Sequence, residues 1–131
     1  MEQSSTRLEA IGQIAIPVKD LGRAIAFYRD VLGLKFLFQA PPGLAFFDCA
    51  GVRVMLEVPE DVEFRHPSSV LYFKVPEIQQ ACRDLKARGA EFRKEPHIIA
   101  KMPPITLWMA FFADTEGNTH ALMCEVVDTT A

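Results

Sequence analysis

Hydrophobic and polar residues alternate near the start of the chain and then change to a helical spacing. Residues 13–18 have an apolar residue at every second position, a period of two that predicts a β-strand. A helical spacing begins at Asp20, whose carboxylate can cap a helix, and ends at Gly33, because glycine adopts the left-handed cap conformation at little cost. A β-rich run over 34–38 follows at once, so the pattern predicts strand, helix and strand in succession.

The second half of the chain repeats this pattern. Residues 70–75 alternate in the same way, Glu77 occupies the capping position of Asp20, and Gly89 closes a helical stripe as Gly33 does. Both halves then pass through an Asp-x-x-Gly turn, at 48–51 and at 114–117. A repeat of one helix and four strands is not a solenoid period, and it indicates duplication of one βαβββ unit rather than chance similarity.

The remaining segments complete the predicted fold. Turn residues and short apolar runs predict further strands at 44–49, 52–58, 91–94, 105–113 and 119–127, with a proline-bracketed loop at 96–104. We therefore predict an α+β fold with two helices and about eight strands. It consists of a flexible lead-in over 1–10 and a single domain over 11–131, made of two βαβββ modules at about 11–58 and 69–127.

Composition and charge narrow the function classes. Half of the 131 residues are hydrophobic, which is typical of a globular domain with a core, and the net charge of −3 argues against a nucleic-acid partner. The chain has neither an apolar run of membrane-spanning length nor a signal-peptide pattern at its start, and its three cysteines are far apart in sequence. These features predict a cytoplasmic protein with free thiols and no membrane partner.

Strand alternation predicts two unlike faces on each sheet. The helix of each module should cover the continuously apolar face, for example that of Ile16, Leu56, Phe73 and Leu122. Convergent polar groups on an apolar background are typical of a small-molecule site, so the opposite face is our candidate for ligand binding. Its candidate ligand-binding residues include Gln13, Arg53, Met55, Tyr72, Thr119 and Met123. The alternative is a face exposed to solvent or covered by a partner.

Histidine and aromatic residues leave further choices open. His97 lies in the predicted loop 96–104, where, with Lys101, it could bind an anionic ligand or move a proton. Alternation turns His120 towards the helix side, which favours a packed histidine. Trp108 belongs to a strand with large apolar groups on both faces, and we include it among the candidate ligand-binding residues because one face should line the site. Phe46 and Phe47 pose the same choice.

Three segments carry a resemblance to a known family. They are VKDLGRAIAFYRDVLGL at 18–34, VPEIQQACRDLKARGAEF at 75–92 and FADTEGNTHALM at 112–123. Together they resemble the vicinal oxygen chelate superfamily, which includes glyoxalase I, bleomycin-resistance proteins and extradiol dioxygenases. The resemblance implies that the two modules curl into a cup with the helices on the outer face. It also implies a small-molecule ligand in the cup and a homodimer.

The metal enzymes of this superfamily have ligands at four cup positions, which fall by spacing on Gln13, Glu57, Val70 and Ala121. Only Glu57 offers a charged ligand, and the two aliphatic residues offer none. We therefore expect no metal at the usual positions, and the sequence identifies no cofactor. A divalent metal at a shifted site, held by Glu57 with His97 or His120, is the less favoured alternative.

Three function classes follow from the resemblance and the missing ligands. The favoured one is a protein that binds a small organic molecule in the cup without the usual metal site. A metal-independent enzyme could use Glu57 as a catalytic general base with Arg53 or Tyr72 as its electrostatic partner. The alternative is a metal-dependent lyase, isomerase or dioxygenase with a shifted metal site. The sequence does not separate a binding protein from an enzyme.

Overall fold

A computed structural model describes residues 5–129, and its elements follow the predicted order. The first module consists of β1 (Gln13–Pro17), α1 (Leu21–Ala26) continued by a π-helical turn (Phe27–Val31), β2 (Lys35–Ala40), β3 (Leu44–Cys49) and β4 (Val52–Glu57). A 3₁₀ turn (Val62–Phe64) lies between the modules. The second module consists of β5 (Tyr72–Lys74), α2 (Ile78–Ala87), β6 (Glu91–Met102), β7 (Ile105–Ala113) and β8 (Thr119–Val127).

The eight described strands form two four-stranded mixed sheets with the same topology. Their orders are β1-β4-β3-β2 and β5-β8-β7-β6. The β1–β4 and β5–β8 pairs are parallel, and the others are antiparallel. This confirms the α+β fold with two βαβββ modules. The strands form two separate sheets that do not close, as in an open cup.

Local chemistry sets the helix ends as predicted. The Asp20 carboxylate accepts a hydrogen bond from the backbone N–H of Arg23 at 3.1 Å, and the Glu77 carboxylate accepts two from the first turn of α2, at 3.1 and 2.8 Å. Gly33 and Gly89 follow the two helices with φ angles of 75° and 103°, which favour glycine over residues with a Cβ. The pattern therefore located both helices correctly.

The prediction for 91–104 was wrong in one respect. Instead of a short strand and a loop, the segment forms one long strand, Glu91–Met102, which pairs with β7 through three register shifts. Pro96 lies within the irregularity between Lys94 and His97, where the ladder needs no N–H from it, and β6 is an edge strand of its sheet. The proline therefore marks a bulge and not the end of the strand.

Both modules contribute to one hydrophobic core. Ile16, Phe47 and Leu56 of the first module belong to the same buried cluster as Ile78 and Phe112 of the second. Burying a large apolar side chain stabilises the fold by about 1.5–3 kcal/mol, so contacts across the module boundary contribute substantially. Within residues 5–129, no helix is long and apolar enough to cross a membrane.

Candidate functional site

The strand register divides each sheet into a helix-covered face and an opposite face, which we call the open face. On β4, Arg53, Met55 and Glu57 lie on the open face and alternate with the buried Val54 and Leu56. Neighbouring strands add Gln13, Ala15, Leu44 and Phe46 to the open face of the first module. The corresponding face of the second module carries Tyr72, Lys74, Met109, Phe111, Thr119, Ala121 and Met123. The predicted division into two faces therefore places most candidate residues together on these faces.

Aromatic rings and a guanidinium group form a stack on the open face of the first module. The rings of Phe38 and Phe46 have centroids 4.8 Å apart and an interplanar angle of 32°. The guanidinium carbon of Arg53 lies 5.7 Å from the centroid of Phe46, and the side-chain amide of Gln13 donates to the Met55 sulfur at 3.6 Å. Phe38 remains 48% exposed, so one side of this stack is accessible.

A second aromatic group lies on the open face of the second module. The ring of Phe111 has its centroid 6.3 Å from that of Tyr72 and 6.3 Å from that of His97. His97 lies on β6 instead of a loop, and its Nδ1 donates to the carbonyl of Glu95 at 2.8 Å, which leaves Nε2 for another partner. Tyr72 is 48% exposed, so this group is also accessible.

The structure corrects the placement of Trp108 and decides the choices left open for the aromatic pairs. Trp108 pairs with Cys124 and packs against the core on the helix-covered face, so Met109 and Phe111 line the open face in its place. In β3, Phe47 is buried in the core and Phe46 pairs with Met55 on the open face. The sequence contained a signal for Phe46, because a two-residue turn at 50–51 fixes the register between β3 and β4. Counting back from the turn pairs Phe46 with Met55.

The two modules have the same register in their parallel strand pairs, and this revises one of the four metal-ligand positions. The carbonyl of Glu57 accepts from the N–H that follows β1 at 2.8 Å, and the carbonyl of Met123 accepts from the N–H that follows β5 at 2.9 Å. Met55 precedes Glu57 by two residues, as Ala121 precedes Met123. The structural counterpart of Ala121 is therefore Met55, and Glu57 corresponds to Met123.

The residues at these positions do not fit the metal that the resemblance implies. The symmetric set is Gln13, Met55, Val70 and Ala121, which offers one amide, one thioether and two aliphatic groups. Glu57 pairs with Pro17, which is four residues from Gln13 along β1, a separation of about 13 Å that is too large for Gln13 and Glu57 to bind one ion. Within residues 5–129, no three His, Cys, Asp or Glu side chains are close enough to hold a metal. These residues would not hold the metal of the superfamily's enzymes.

His120 is excluded from a shifted site with Glu57, because it is fully buried on the helix-covered face, as alternation predicts. The hydroxyl of Tyr28 donates to Oδ2 of Asp114 at 2.6 Å and lies 2.9 Å from Nε2 of His120. The backbone N–H of Leu71 donates to Nδ1 of His120 at 3.3 Å, so Nε2 carries the proton and donates to the Tyr28 oxygen. We call these three side chains the buried triad.

Burial keeps two members of the buried triad neutral. Desolvation raises the pKa of Tyr28 far above its ordinary value, and the nearby Asp114 carboxylate raises it further. Desolvation lowers the pKa of His120 below its ordinary value, and the attraction of Asp114 opposes this only in part. The triad joins the first helix to the β7–β8 turn, and its full burial keeps it away from any ligand on the open faces.

Comparison with known proteins agrees with this architecture. The chain is 30% identical over 127 residues to a glyoxylase-like domain-containing protein from Didymella fabae, covering 86% of this chain and 91% of that protein. A member of the glyoxalase/bleomycin resistance protein/dioxygenase superfamily from Sphaerobacter thermophilus has a similar structure, with a TM-score of 0.74, 23% identity and coverage of 89% of this chain and 98% of that one.

Two further structures have the same fold. TnmS3, an antibiotic binding protein from a Streptomyces species, has a TM-score of 0.73 and 22% identity, covering 91% of this chain and 98% of that one. Lactoylglutathione lyase from Agrobacterium tumefaciens has a TM-score of 0.67 and 22% identity, covering 91% and 96%. The family model for the Glyoxalase/Bleomycin resistance protein/Dioxygenase superfamily matches residues 10–122, and the chain therefore belongs to that superfamily.

Proposed function

We propose that this protein binds a small, flat aromatic molecule on its open faces without the metal site of its enzyme relatives. The observation that supports this most is the stack of Phe38, Phe46 and Arg53, which has one accessible side. A planar ligand can extend such a stack, and each aromatic pair contributes about 0.5–1.5 kcal/mol beyond the area it buries. An acidic substituent on the ligand would be attracted to Arg53. The similar fold of an antibiotic binding protein is in keeping with this proposal.

We further propose a homodimer in which each cup is completed across two copies. Phe38, Val70 and Tyr72 are all at least 40% exposed in the single chain, so its own elements do not cover the open faces. If the open face of the second module of one copy lay against the open face of the first module of the other, these residues would be buried and the ligand would be enclosed. Light scattering after size exclusion tests this, and a monomer at the concentrations used for binding would contradict it.

We place the protein in the cytoplasm. Cys49, Cys82 and Cys124 are free thiols, and a reducing compartment keeps them so. The net charge of −3 supports a small-molecule partner rather than nucleic acid.

The binding proposal can be tested with anthraquinone sulfonate, a flat aromatic anion that quenches tryptophan fluorescence. The chain has one tryptophan, Trp108, on the strand that also presents Phe111 to the open face of the second module. Quenching would therefore report a ligand enclosed between the open faces of the two modules, as in the proposed dimer. We expect saturable quenching, with affinity reduced roughly three- to tenfold in Phe46→Leu and in Arg53→Gln. Phe64→Leu changes an exposed phenylalanine outside both open faces and serves as the control. No saturable quenching, or equal affinity in all variants, would contradict the proposal.

A metal-independent reaction is the second candidate, because of the position of Glu57. This half-buried residue lies on the open face, and its carboxylate has no hydrogen-bond or ion-pair partner among residues 5–129. It could act as a general base towards a ligand bound beside Met55 and Leu44. If it does, Glu57→Gln should abolish turnover of a substrate while leaving its binding unchanged. A variant with full turnover would remove Glu57 from this role.

A further inference from the structure

A cavity of about 660 Å³ lies where the two modules meet, at the ends of β1 and β4 and beside the β7–β8 turn. We call it the inter-module cavity. Its apolar wall includes Val18, Val58 and Pro59, and its basic rim consists of Lys19, Arg65 and His66. A volume of this size is typical of small-molecule sites. The aromatic groups of the open faces do not line it, so the cavity is separate from the proposed aromatic site.

The segment that links the modules holds the basic rim in place. The guanidinium of Arg65 donates to the carbonyl of Pro59 at 3.4 Å and to that of Glu60 at 3.0 Å. Its Nη1 has no hydrogen-bond partner among residues 5–129. Nδ1 of His66 donates to the carbonyl of Pro67 at 2.9 Å, which leaves Nε2 without a described partner. Donors fixed by the backbone in this way lose little conformational freedom when a ligand arrives.

The one carboxylate on the wall is already engaged. Both oxygens of Glu116 accept backbone hydrogen bonds, from Lys19 at 2.7 Å and from Asp20 at 3.1 Å. The ammonium group of Lys19 has no described partner, so Lys19 and Arg65 together outweigh Glu116 by one positive charge. Other acidic residues of the linking segment, such as Glu60, do not line the cavity. The wall is therefore positive on a chain whose net charge is −3.

We infer that the inter-module cavity binds a small amphipathic carboxylate. The acid group would contact Arg65 and Lys19, and the apolar body would lie against Val18, Val58 and Pro59. A carboxylate can accept two donors at once and pairs well with a guanidinium group. Because the wall is mainly apolar, we expect an inorganic anion to bind less well than an anion with a hydrophobic body.

An NMR titration of the full chain with naphthoate tests this inference. We expect amide shifts at Lys19, Gly117 and Asn118, which line the cavity. Naphthoate is also a flat aromatic acid, so shifts at Met55 and Tyr72 would report the proposed aromatic site, and these should not change in Arg65→Gln. Neutral naphthamide and inorganic phosphate are the matched probes for charge and for the apolar body. Both should bind at least several-fold more weakly than naphthoate.

Variants of the basic rim separate charge from structure. Arg65→Gln and Lys19→Gln should each weaken the binding of naphthoate about tenfold, because a hydrogen bond to a charged group is lost. Arg65→Lys keeps the charge and should weaken this binding less. Arg83→Gln, which changes an exposed arginine on α2, controls for net charge and should leave the affinity unchanged. Amide dispersion shows whether each variant remains folded.

Three results would overturn the inference. The first is equal affinity for naphthoate and naphthamide, and the second is a set of shifts confined to the open faces. The third is the absence of any shift up to about 10 mM probe, a concentration at which even weak fragments bind. None of these results would affect the quenching experiment on Phe46 and Arg53, so the two proposals can fail independently.

Discussion

Tyr28→Phe removes one oxygen from the buried triad and leaves the apolar packing of the ring intact. The hydroxyl donates to Asp114 at 2.6 Å and accepts from His120 at 2.9 Å, and Tyr28 and His120 are completely buried. The ring itself packs against Phe27 and Phe47, contacts that phenylalanine can preserve. The substitution therefore isolates the polar contribution at the junction between the modules.

The expected loss follows from the two bonds that disappear. A hydrogen bond to a charged acceptor such as Asp114 contributes about 1.5–3 kcal/mol, and a buried donor left unpaired, here Nε2–H of His120, costs about 1–3 kcal/mol. The Asp114 carboxylate keeps three other hydrogen bonds, from Glu116 and Asn118, which limits the damage. We expect the free energy of unfolding to fall by about 2–4 kcal/mol, a large share of the roughly 5–15 kcal/mol of a typical domain.

Urea unfolding near neutral pH measures this loss. At a slope of about 1–3 kcal/mol per molar urea, the midpoint should fall by roughly 1–2 M with the slope unchanged. Tyr72→Phe is the matched control, since Tyr72 is 48% exposed and its hydroxyl has no hydrogen bond among residues 5–129. Its free energy of unfolding should stay within about 0.5 kcal/mol of the unmodified chain. If Tyr28→Phe behaves like this control, the triad contributes no net stability and the reasoning fails.

Three further predictions concern acid stability, capping and metal. Burial lowers the pKa of His120 in the folded state, so the unfolded chain takes up a proton first as the pH falls below the unfolded pKa of about 6.5. The free energy of unfolding should then fall by up to about 1.4 kcal/mol per pH unit. This fall should be smaller in His120→Gln. Equal pH dependence of unfolding in both proteins would contradict this. Glu77→Ala should reduce the free energy of unfolding by about 1 kcal/mol, because the cap of α2 is lost. Glu91→Ala is the control, because Glu91 is exposed and its carboxylate has no described partner. Equal urea midpoints for the two variants would contradict the contribution of the cap. Treatment with a chelator should leave the melting temperature unchanged. Stoichiometric metal in the purified protein, or stabilisation by a divalent ion, would contradict the prediction that the family's ligand positions hold no metal.

The absence of fitting ligands at the family positions changes what the cup can do. Met55 and Ala121 lie at symmetric places on β4 and β8, and neither can bind a hard divalent ion. At the positions of the family's metal ligands, the chain instead has the thioether of Met55 and the methyl group of Ala121, with the ring of Phe46 beside Met55. Such a surface favours dispersion and stacking with a flat ligand, which is why we propose binding ahead of metal chemistry.

The two modules could be predicted from local sequence patterns. The period of two located β1 and the faces of the strands, and it placed His120 on the helix-covered side. Asp20 and Glu77 marked the helix starts, while Gly33 and Gly89 marked their ends. These features could be predicted because alternation, capping and positive φ depend on residues a few positions apart.

Other features depend on which strands and modules meet in the folded chain, and these could not be predicted. A proline pattern could not show that β6 continues past Pro96, because the bulge exists only in relation to β7. Likewise, the face of Trp108 follows from its pairing with Cys124. Residues 28, 114 and 120 come together only when the first helix packs on the second module, and the inter-module cavity forms at the same junction. Contacts between residues distant in sequence leave no periodic signal, since each partner alone is compatible with many neighbours.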